Sequence, residues 1–131
     1  MNRNMLISAC LHMAVAIALG AFGAHKLKPL LSPEHAESFQ TASKYQVYHA
    51  IALLIIFSGN FDGIKGLKAI GWLLNVGIVL FSGSIYLLST REITHITGIG
   101  ILGPVTPLGG LCFLAGWLWL AIKLFQRNKT A

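Results

Sequence analysis

Four long apolar runs dominate the alternation of hydrophobic and polar positions along the chain; they extend over residues 5–24, 45–61, 67–89 and roughly 107–125. No Asp, Glu or Arg lies inside any of these runs. The hydrocarbon core of a bilayer is about 30 Å thick and a helix rises about 1.5 Å per residue, so about 20 apolar residues cross it. The pattern predicts an all-α protein: an antiparallel four-helix transmembrane bundle, with residues 1–131 as a single integral membrane domain.

The segment between the first two runs has the signature of a helix start. Ser32 is a favoured N-cap, Pro33 fits the first helical position, and Glu34 lies near the positive end of the helix dipole. We therefore expect a short amphipathic helix between spans one and two. Because no helix breaker lies between Pro33 and Gly59, this helix could continue into the second run.

Composition agrees with a membrane protein. Hydrophobic residues make up 55% of the chain and charged residues 11%, whereas a soluble domain has about 25% charged residues. The formal net charge is +6, but the Lys and Arg residues are scattered, mostly at the ends of the apolar runs. This placement indicates membrane-flanking cations that are attracted to anionic lipid, and no nucleic-acid partner is expected.

The same cations predict an orientation in the cell (inner) membrane. With four spans, the two termini and the middle loop share one side, which carries Arg3, Lys65, Lys68, Lys123, Arg127 and Lys129. The other side carries fewer cations, namely Lys26, Lys28, Lys44 and Arg91. The positive-inside rule therefore places both termini in the cytoplasm and the other two loops on the outer side.

A stripe of polar side chains lies on the predicted second helix. His35, Phe39, Ala42, Gln46 and His49 follow one another at spacings of three and four residues, which places them on one helical face. Inside a bilayer such groups either hydrogen-bond to neighbouring helices or line a binding or proton-relay wall. We favour interhelical hydrogen bonds, and the relay stays the alternative.

The second outer loop, residues 90–106, is apolar but rich in helix breakers. Thr106 and Pro107 repeat the cap-then-proline signature, which predicts that the fourth helix starts at Pro107. Its free N–H groups would then lie near Ser82, Ser84 and Tyr86, where a helix N-terminus could attract an anion. The alternative, which we favour, is a helix end that Thr106 itself caps.

Small and polar residues predict how the helices pack. His12 and Asn75 lie in the same half of the first and third spans and could hydrogen-bond to each other. Small residues permit close approach of helices in lipid. They recur on the first, third and fourth predicted helices as Ala16, Gly20, Ala24, Gly77, Gly83, Gly109, Gly110 and Gly116.

Signatures of catalysis are not found in the sequence. It has no phosphate-binding Gly-Lys loop, no G-x-S-x-G nucleophile elbow and no H-E-x-x-H zinc motif. No carboxylate lies within the four runs, and no His pair has metal-ligand spacing. We therefore expect a protein that is not an enzyme, with no cofactor and no metal site.

Several short motifs together resemble domain-of-unknown-function family 423. They are Gly20–His25, Phe39 with Thr41–Ala42, Tyr45–Ala50, Phe81–Tyr86, Thr106–Gly110 and Gly116–Trp117. That family comprises small bacterial multi-pass membrane proteins, with eukaryotic relatives related to transmembrane protein 256. The resemblance implies a four-helix membrane protein and no particular activity. The motifs lie almost wholly on the predicted outer side and supply the candidate ligand-binding residues His25, Gln46, His49, Ser82, Ser84, Tyr86 and Thr106.

Two functions fit this pattern. The first is a non-enzymatic binding or partner module that holds a lipid headgroup, small ligand or partner subunit at the outer-side polar cluster. The alternative is a small oligomeric transporter or channel for an ion or small solute, suggested by the His and Gln residues along the second helix. Either function predicts that the protein lies in the lipid bilayer as a homo-oligomer or with a membrane partner.

Overall fold

A computed structural model describes residues 2–59 and 61–127. Within these residues the chain is helical and has no strand. The elements are α1 (Arg3–Phe22), a π-helical turn (Gly23–Leu27), α2 (Pro33–Phe57), α3 (Leu67–Ser89), the short α4 (Arg91–Thr94), a 3-10 turn (Ile99–Leu102) and α5 (Val105–Arg127). The prediction of an all-α protein is confirmed.

The start of α2 follows from local capping chemistry. Ser32 Oγ accepts a hydrogen bond from the backbone N–H of His35 at 3.3 Å, and Pro33 occupies the first helical position. Nothing interrupts the helix over the next 25 residues. The expected short amphipathic helix is therefore not a separate element, because it is continuous with the second apolar run. The run itself ends earlier than predicted, at Phe57, where Ser58 forms the C-cap.

The start of α5 differs from the prediction by two residues. The helix begins at Val105 rather than at Pro107. Pro107 is accommodated because it lies in the first turn, where a backbone N–H has no intrahelical acceptor. The hydroxyl of Thr106 lies 2.6 Å from that of Ser84 on α3, and this hydrogen bond joins α5 to α3.

The four long helices α1, α2, α3 and α5 pack together, and each is antiparallel to the one before it in chain order. Between α1 and α2, Gln40 bonds to Gly20 and Gln46 bonds to His12, so residue numbers rise on one helix as they fall on the other. Between α3 and α5, Ser84 lies beside Thr106 near one end. The order makes α1 and α3 parallel to each other, since both are antiparallel to α2.

The set of four helices has two distinct ends. We call the end formed by residues 23–38 and 86–106 the two-loop end, because it carries the α1–α2 and α3–α5 connections. We call the end formed by residues 2–8, 57–59, 61–68 and 119–127 the terminal end. The two-loop end corresponds to the outer side of the sequence-based orientation.

The core lies between α2, α3 and α5. Leu53, Ile70 and Leu74 are fully buried there, and Phe113 of α5 closes one side. The outward faces are also apolar, so that large side chains are left exposed; Leu11 and Leu118, for example, are each 63% exposed. Such surfaces suit lipid, which is as apolar as these side chains.

Three helical segments are long and apolar enough to cross a membrane: Arg3–Leu27, Leu67–Ser89 and Ile99–Arg127. The predicted span in α2 is not one of them. Its apolar part begins only after charged positions such as Glu34, Glu37 and Lys44, which leaves a shorter purely apolar stretch. The chain is thus a multi-pass helical membrane protein.

Glycines allow the helices to approach closely. An added Cβ at Gly109 would collide with the backbone nitrogen of Phe81, and one at Gly77 would lie 2.5 Å from the ring of Phe113. One at Gly20 would lie 2.8 Å from Ser43 Oγ. These contacts confirm the packing role at Gly20, Gly77 and Gly109. They do not confirm it at Gly83, which has nothing within 4 Å of its added Cβ, at Gly110, which has one atom at 4.0 Å, or at Ala24, which is exposed.

Candidate functional site

Of the seven candidate residues, six lie inside the bundle and one does not. His25 is exposed on the π-helical turn, apart from the others. The structure joins the remaining residues into separate small groups, each of which links two or three helices. These residues are Gln46, His49, Ser82, Ser84, Tyr86 and Thr106.

Gln46 connects three helices through its side-chain amide. Its Nε2 donates to the carbonyl of His12 on α1 at 3.1 Å, and its Oε1 accepts from the hydroxyl of Tyr86 on α3 at 2.9 Å. The side chain is only 4% exposed. Both ends of the amide are therefore used within the protein, as expected of a polar group that must be satisfied in an apolar medium.

The predicted contact between α1 and α3 is also present. His12 Nε2 lies 3.1 Å from Asn75 Oδ1, and Asn75 Nδ2 donates to the carbonyl of Gly71 at 2.8 Å. Asn75 is buried. The depth of these two residues in their spans was sufficient to predict the pair.

His49 lies in an aromatic cage on the α5 side of α2. Its Nδ1 lies 2.8 Å from the carbonyl of Tyr45, and its Nε2 lies 3.2 Å from Nε1 of Trp117. An indole N–H can only donate, so His49 Nε2 accepts and Nδ1 carries the proton in the neutral ring. The ring also stacks on Phe113, with centroids 3.6 Å apart and planes at 12°. Sequence reasoning missed Trp117 as a partner.

The hydroxyl candidates bond to neighbouring helices. Ser82 Oγ donates to the carbonyl of Ala42 at 2.8 Å and is 1% exposed. Ser84 Oγ donates to the carbonyl of Phe81 at 3.0 Å, so its lone pair accepts from the hydroxyl of Thr106 at 2.6 Å. These bonds occupy the groups that could otherwise contact an anion at the start of α5.

A cleft of about 410 Å³, lined by both polar and apolar residues, opens at the two-loop end beside Thr106. We call it the outer cleft. Its polar lining comes from the first turns of α2, the end of α3, α4 and the start of α5, and consists of Glu34, His35, Ser38, Ser89, Arg91 and Thr106. Of these residues, Thr106 is one of the seven candidate ligand-binding residues and His35 belongs to the predicted polar stripe, whereas the others come together only through the fold.

An ionisable pair closes one side of the outer cleft. His35 Nδ1 on α2 lies 2.9 Å from Glu92 Oε1 on α4, and the two form an ion pair when His35 is protonated. His35 is 17% exposed and Glu92 47% exposed at their side chains. The contact ties the short α4 to the first turn of α2 and so helps to hold the wall of the cleft.

A second cleft of about 510 Å³ lies on the opposite face of the same helix start, beside the π-helical turn. Lys28, Glu37 and Gln40 supply its polar lining, and the rest is largely apolar. Glu34 and Glu37 thus line different clefts although they are one turn apart. Within residues 2–59 and 61–127, no group of three or more His, Cys, Asp and Glu side chains could hold a metal ion.

Comparison with known families identifies one that covers most of the chain. A family model described as Protein of unknown function (DUF423) matches residues 19–110. The chain belongs to the DUF423 family. The resemblance in the sequence motifs is thereby confirmed. All seven candidate residues of this DUF423 protein lie inside the matched segment, whereas His12 and Trp117, which bond to two of them, lie outside it.

Similar proteins carry membrane protein names. The DUF423 chain is 42% identical to the UPF0382 membrane protein SH2409 of Staphylococcus haemolyticus, over 92% of this chain and 94% of that protein. It is 37% identical to the UPF0382 membrane protein YwdK of Bacillus subtilis, over 89% of this chain and 92% of that protein. No solved structure matches this DUF423 protein.

Proposed function

We propose that this DUF423 protein is a non-enzymatic membrane binding module whose ligand occupies the outer cleft. The observation that supports the proposal is the convergence of Arg91, Glu34 and His35 with the hydroxyl of Ser38 around one opening of about 410 Å³. Ligand pockets of a few hundred Å³ that carry a few convergent polar groups are typical binding sites.

The lining chemistry indicates the class of ligand. Arg91 offers a cationic donor to a phosphate or carboxylate, and Glu34 offers an acceptor to an amine. Ile85 and Leu88 add apolar surface to the same cleft. A small polar molecule or lipid headgroup with groups of both charges would suit this lining better than a simple ion.

The candidate residues that lie deeper in the bundle contribute to the fold rather than to ligand binding. Gln46, Ser82 and His49 bond to neighbouring helices, which supports the interhelical interpretation of the polar stripe. Groups engaged in this way are less suited to a proton relay or an ion path, so the binding module is a better proposal than the transporter or channel. We propose that the protein works as a homo-oligomer or with a membrane partner.

Substitution of two neighbouring glutamates tests whether the ligand binds in the outer cleft. Glu34→Gln should weaken retention of the co-purified ligand about tenfold, because one charged hydrogen bond contributes about 1.5 kcal/mol or more. Glu37→Gln, one turn away and part of the lining of the other cleft, should leave retention unchanged. The measurement is mass spectrometry of the intact protein released from native membrane, which reports bound molecules and the number of subunits together.

Arg91→Gln provides a second variant of the same cleft and should weaken retention to a similar degree. Thermal unfolding of each variant in detergent shows whether the fold has been kept. Equal retention by the Glu34, Glu37 and Arg91 variants, all folded, would exclude the outer cleft as the binding site. Loss of bound ligand in the Glu37 variant alone would indicate that the ligand binds in the cleft beside the π-helical turn.

We also propose that α2 crosses the membrane as a fourth span, so that both termini lie on the same side, which the excess of Lys and Arg there places in the cytoplasm. The support is the parallel direction of α1 and α3: a chain that crosses twice in the same direction must return between the two crossings. From Gln40, which bonds to Gly20, to Phe57, which packs beside Gly71, α2 lies alongside both neighbours.

Cysteine labelling tests this topology. His25→Cys and Thr97→Cys, both exposed at the two-loop end, should react with a membrane-impermeant maleimide added to intact cells. Lys65→Cys, exposed at the terminal end, should react only after the cells are opened. Cys10 and Cys112 are replaced by Ser beforehand. With three crossings the positions 25 and 97 would face different compartments, and opposite labelling of these two would exclude the fourth span.

A further inference from the structure

A basic cleft of about 470 Å³ lies at the terminal end, between the α2–α3 loop and the last turns of α5. It is separate from the outer cleft, which is at the opposite end of the bundle. Three cations and one acid contribute to its lining, which includes Asp62, Ile64, Lys65, Lys123, Gln126 and Arg127. The lining therefore carries an excess of positive charge.

The loop that forms one wall of the basic cleft is anchored on both sides of Lys65. Ile64 and Phe61 pack against the core together with Leu124 of α5. The ring of Trp119 lies over Gly66, so that an added Cβ there would be 3.2 Å from Cζ2. Lys65 is thus held opposite α5 by its neighbours, although its own side chain is exposed.

The cations of α5 alone have an ordinary explanation, because basic residues near a helix C-terminus offset the helix dipole. Lys123 and Arg127 are one turn apart and share a face of α5. Lys65 is not explained in this way, since it comes from a different segment and lines the same cleft. Lys123 Nζ is bonded to the neutral Gln126 Oε1 at 3.4 Å, so its charge is not cancelled by that contact.

We propose that the basic cleft binds the phosphate of an anionic phospholipid headgroup. Ammonium and guanidinium groups are strong donors to phosphate oxygens, and basic pockets between membrane helices hold such headgroups. The cleft lies where the apolar part of α5 ends, which is the depth of headgroups for a membrane-crossing helix. A free phosphate ion presents the same oxygens, but without the acyl chains that would lie along the exposed apolar surface of α5.

The test uses the full-length protein in nanodiscs that contain equal amounts of phosphatidylglycerol and phosphatidylcholine. Native mass spectrometry measures the ratio of the two lipids that stay bound. Wild type should retain phosphatidylglycerol preferentially. The double variant Lys65→Gln and Lys123→Gln should lose about 30-fold in this preference, since each cation near an anionic lipid contributes about fivefold.

Two matched variants separate a site from a general charge effect. Lys26→Gln with Lys44→Gln removes the same charge away from the basic cleft, from two other exposed positions, and should keep the preference. The double variant Lys65→Arg and Lys123→Arg keeps both charges and should also keep the preference for phosphatidylglycerol. That result would show that the two positions tolerate substitution. Equal loss in both glutamine pairs, or no loss in either, would overturn the proposal, as would displacement of the lipid by inorganic phosphate at equal concentration.

Discussion

Replacement of Gly109 by alanine should lower the free energy of unfolding by about 3 kcal/mol, the upper range for overpacking of a well-packed interior. The new Cβ would collide with the backbone nitrogen of Phe81 and lie 2.8 Å from its Cα. A side chain could rotate away, but a backbone atom cannot move unless α3 and α5 separate. Gly109 is also one turn from Thr106, so this separation should break the Ser84–Thr106 bond beside the outer cleft.

Gly110 is the control for this experiment because it is the next residue on the same helix. Its added Cβ would have only one neighbouring atom, Phe81 Cδ2 at 4.0 Å, which is ordinary contact. Gly110→Ala should therefore be neutral or stabilising by less than about 1 kcal/mol, since alanine favours a helix. Unfolding in mixed micelles with increasing SDS measures both variants. Equal stability of the two would show that α3 and α5 are not in close contact at Gly109.

Local chemistry made some of the fold predictable from the sequence. The start of α2 follows from Ser32, Pro33 and Glu34, and this capping signature acts within one turn of the chain. The same signature at Thr106 and Pro107 gave a start that was two residues late. There the fold determines the outcome, because Ser84 on another helix takes the Thr106 hydroxyl as its partner.

The candidate site was less predictable because it depends on the lateral order of the helices. Depth in the membrane can be read from the chain, and it was enough to pair His12 with Asn75. The neighbours of a helix cannot be read in this way, so the bond between His49 and Trp117 was missed. The outer cleft was missed for the same reason, since its lining residues come from four segments that only the fold brings together.

One signal in the sequence could have found the partner of His49. A tryptophan carries an N–H that needs an acceptor when it lies in an apolar medium. Trp117 lies on α5 one turn after Phe113, and a neutral imidazole nitrogen is one of few side-chain acceptors within the apolar runs. A search for the acceptor of each tryptophan N–H can therefore help to predict which helices of a membrane protein are neighbours.

His49→Ala should destabilise the protein by about 3 kcal/mol, as other large-to-small changes at buried aromatic positions do. The side chain is 6% exposed, and its ring fills the space against Phe113. The change would leave a cavity and would remove the acceptor of the Trp117 N–H. Any loss of bound ligand in this variant should therefore follow from loss of structure, and His49→Phe, which restores the ring, should recover most of the stability.

A double-mutant cycle separates the hydrogen bond from the packing. His49→Phe and Trp117→Phe, made singly and together, should show a coupling energy of about 0.6–1.7 kcal/mol, the range for polar contacts between membrane helices. Trp72→Phe in place of Trp117→Phe is the control, because Trp72 is 57% exposed and has no described contact with His49. Its combination with His49→Phe should be additive. Additive behaviour in the Trp117 cycle as well would mean that Nε2 of His49 is free for chemistry, and the proton-relay wall would become the better interpretation of α2.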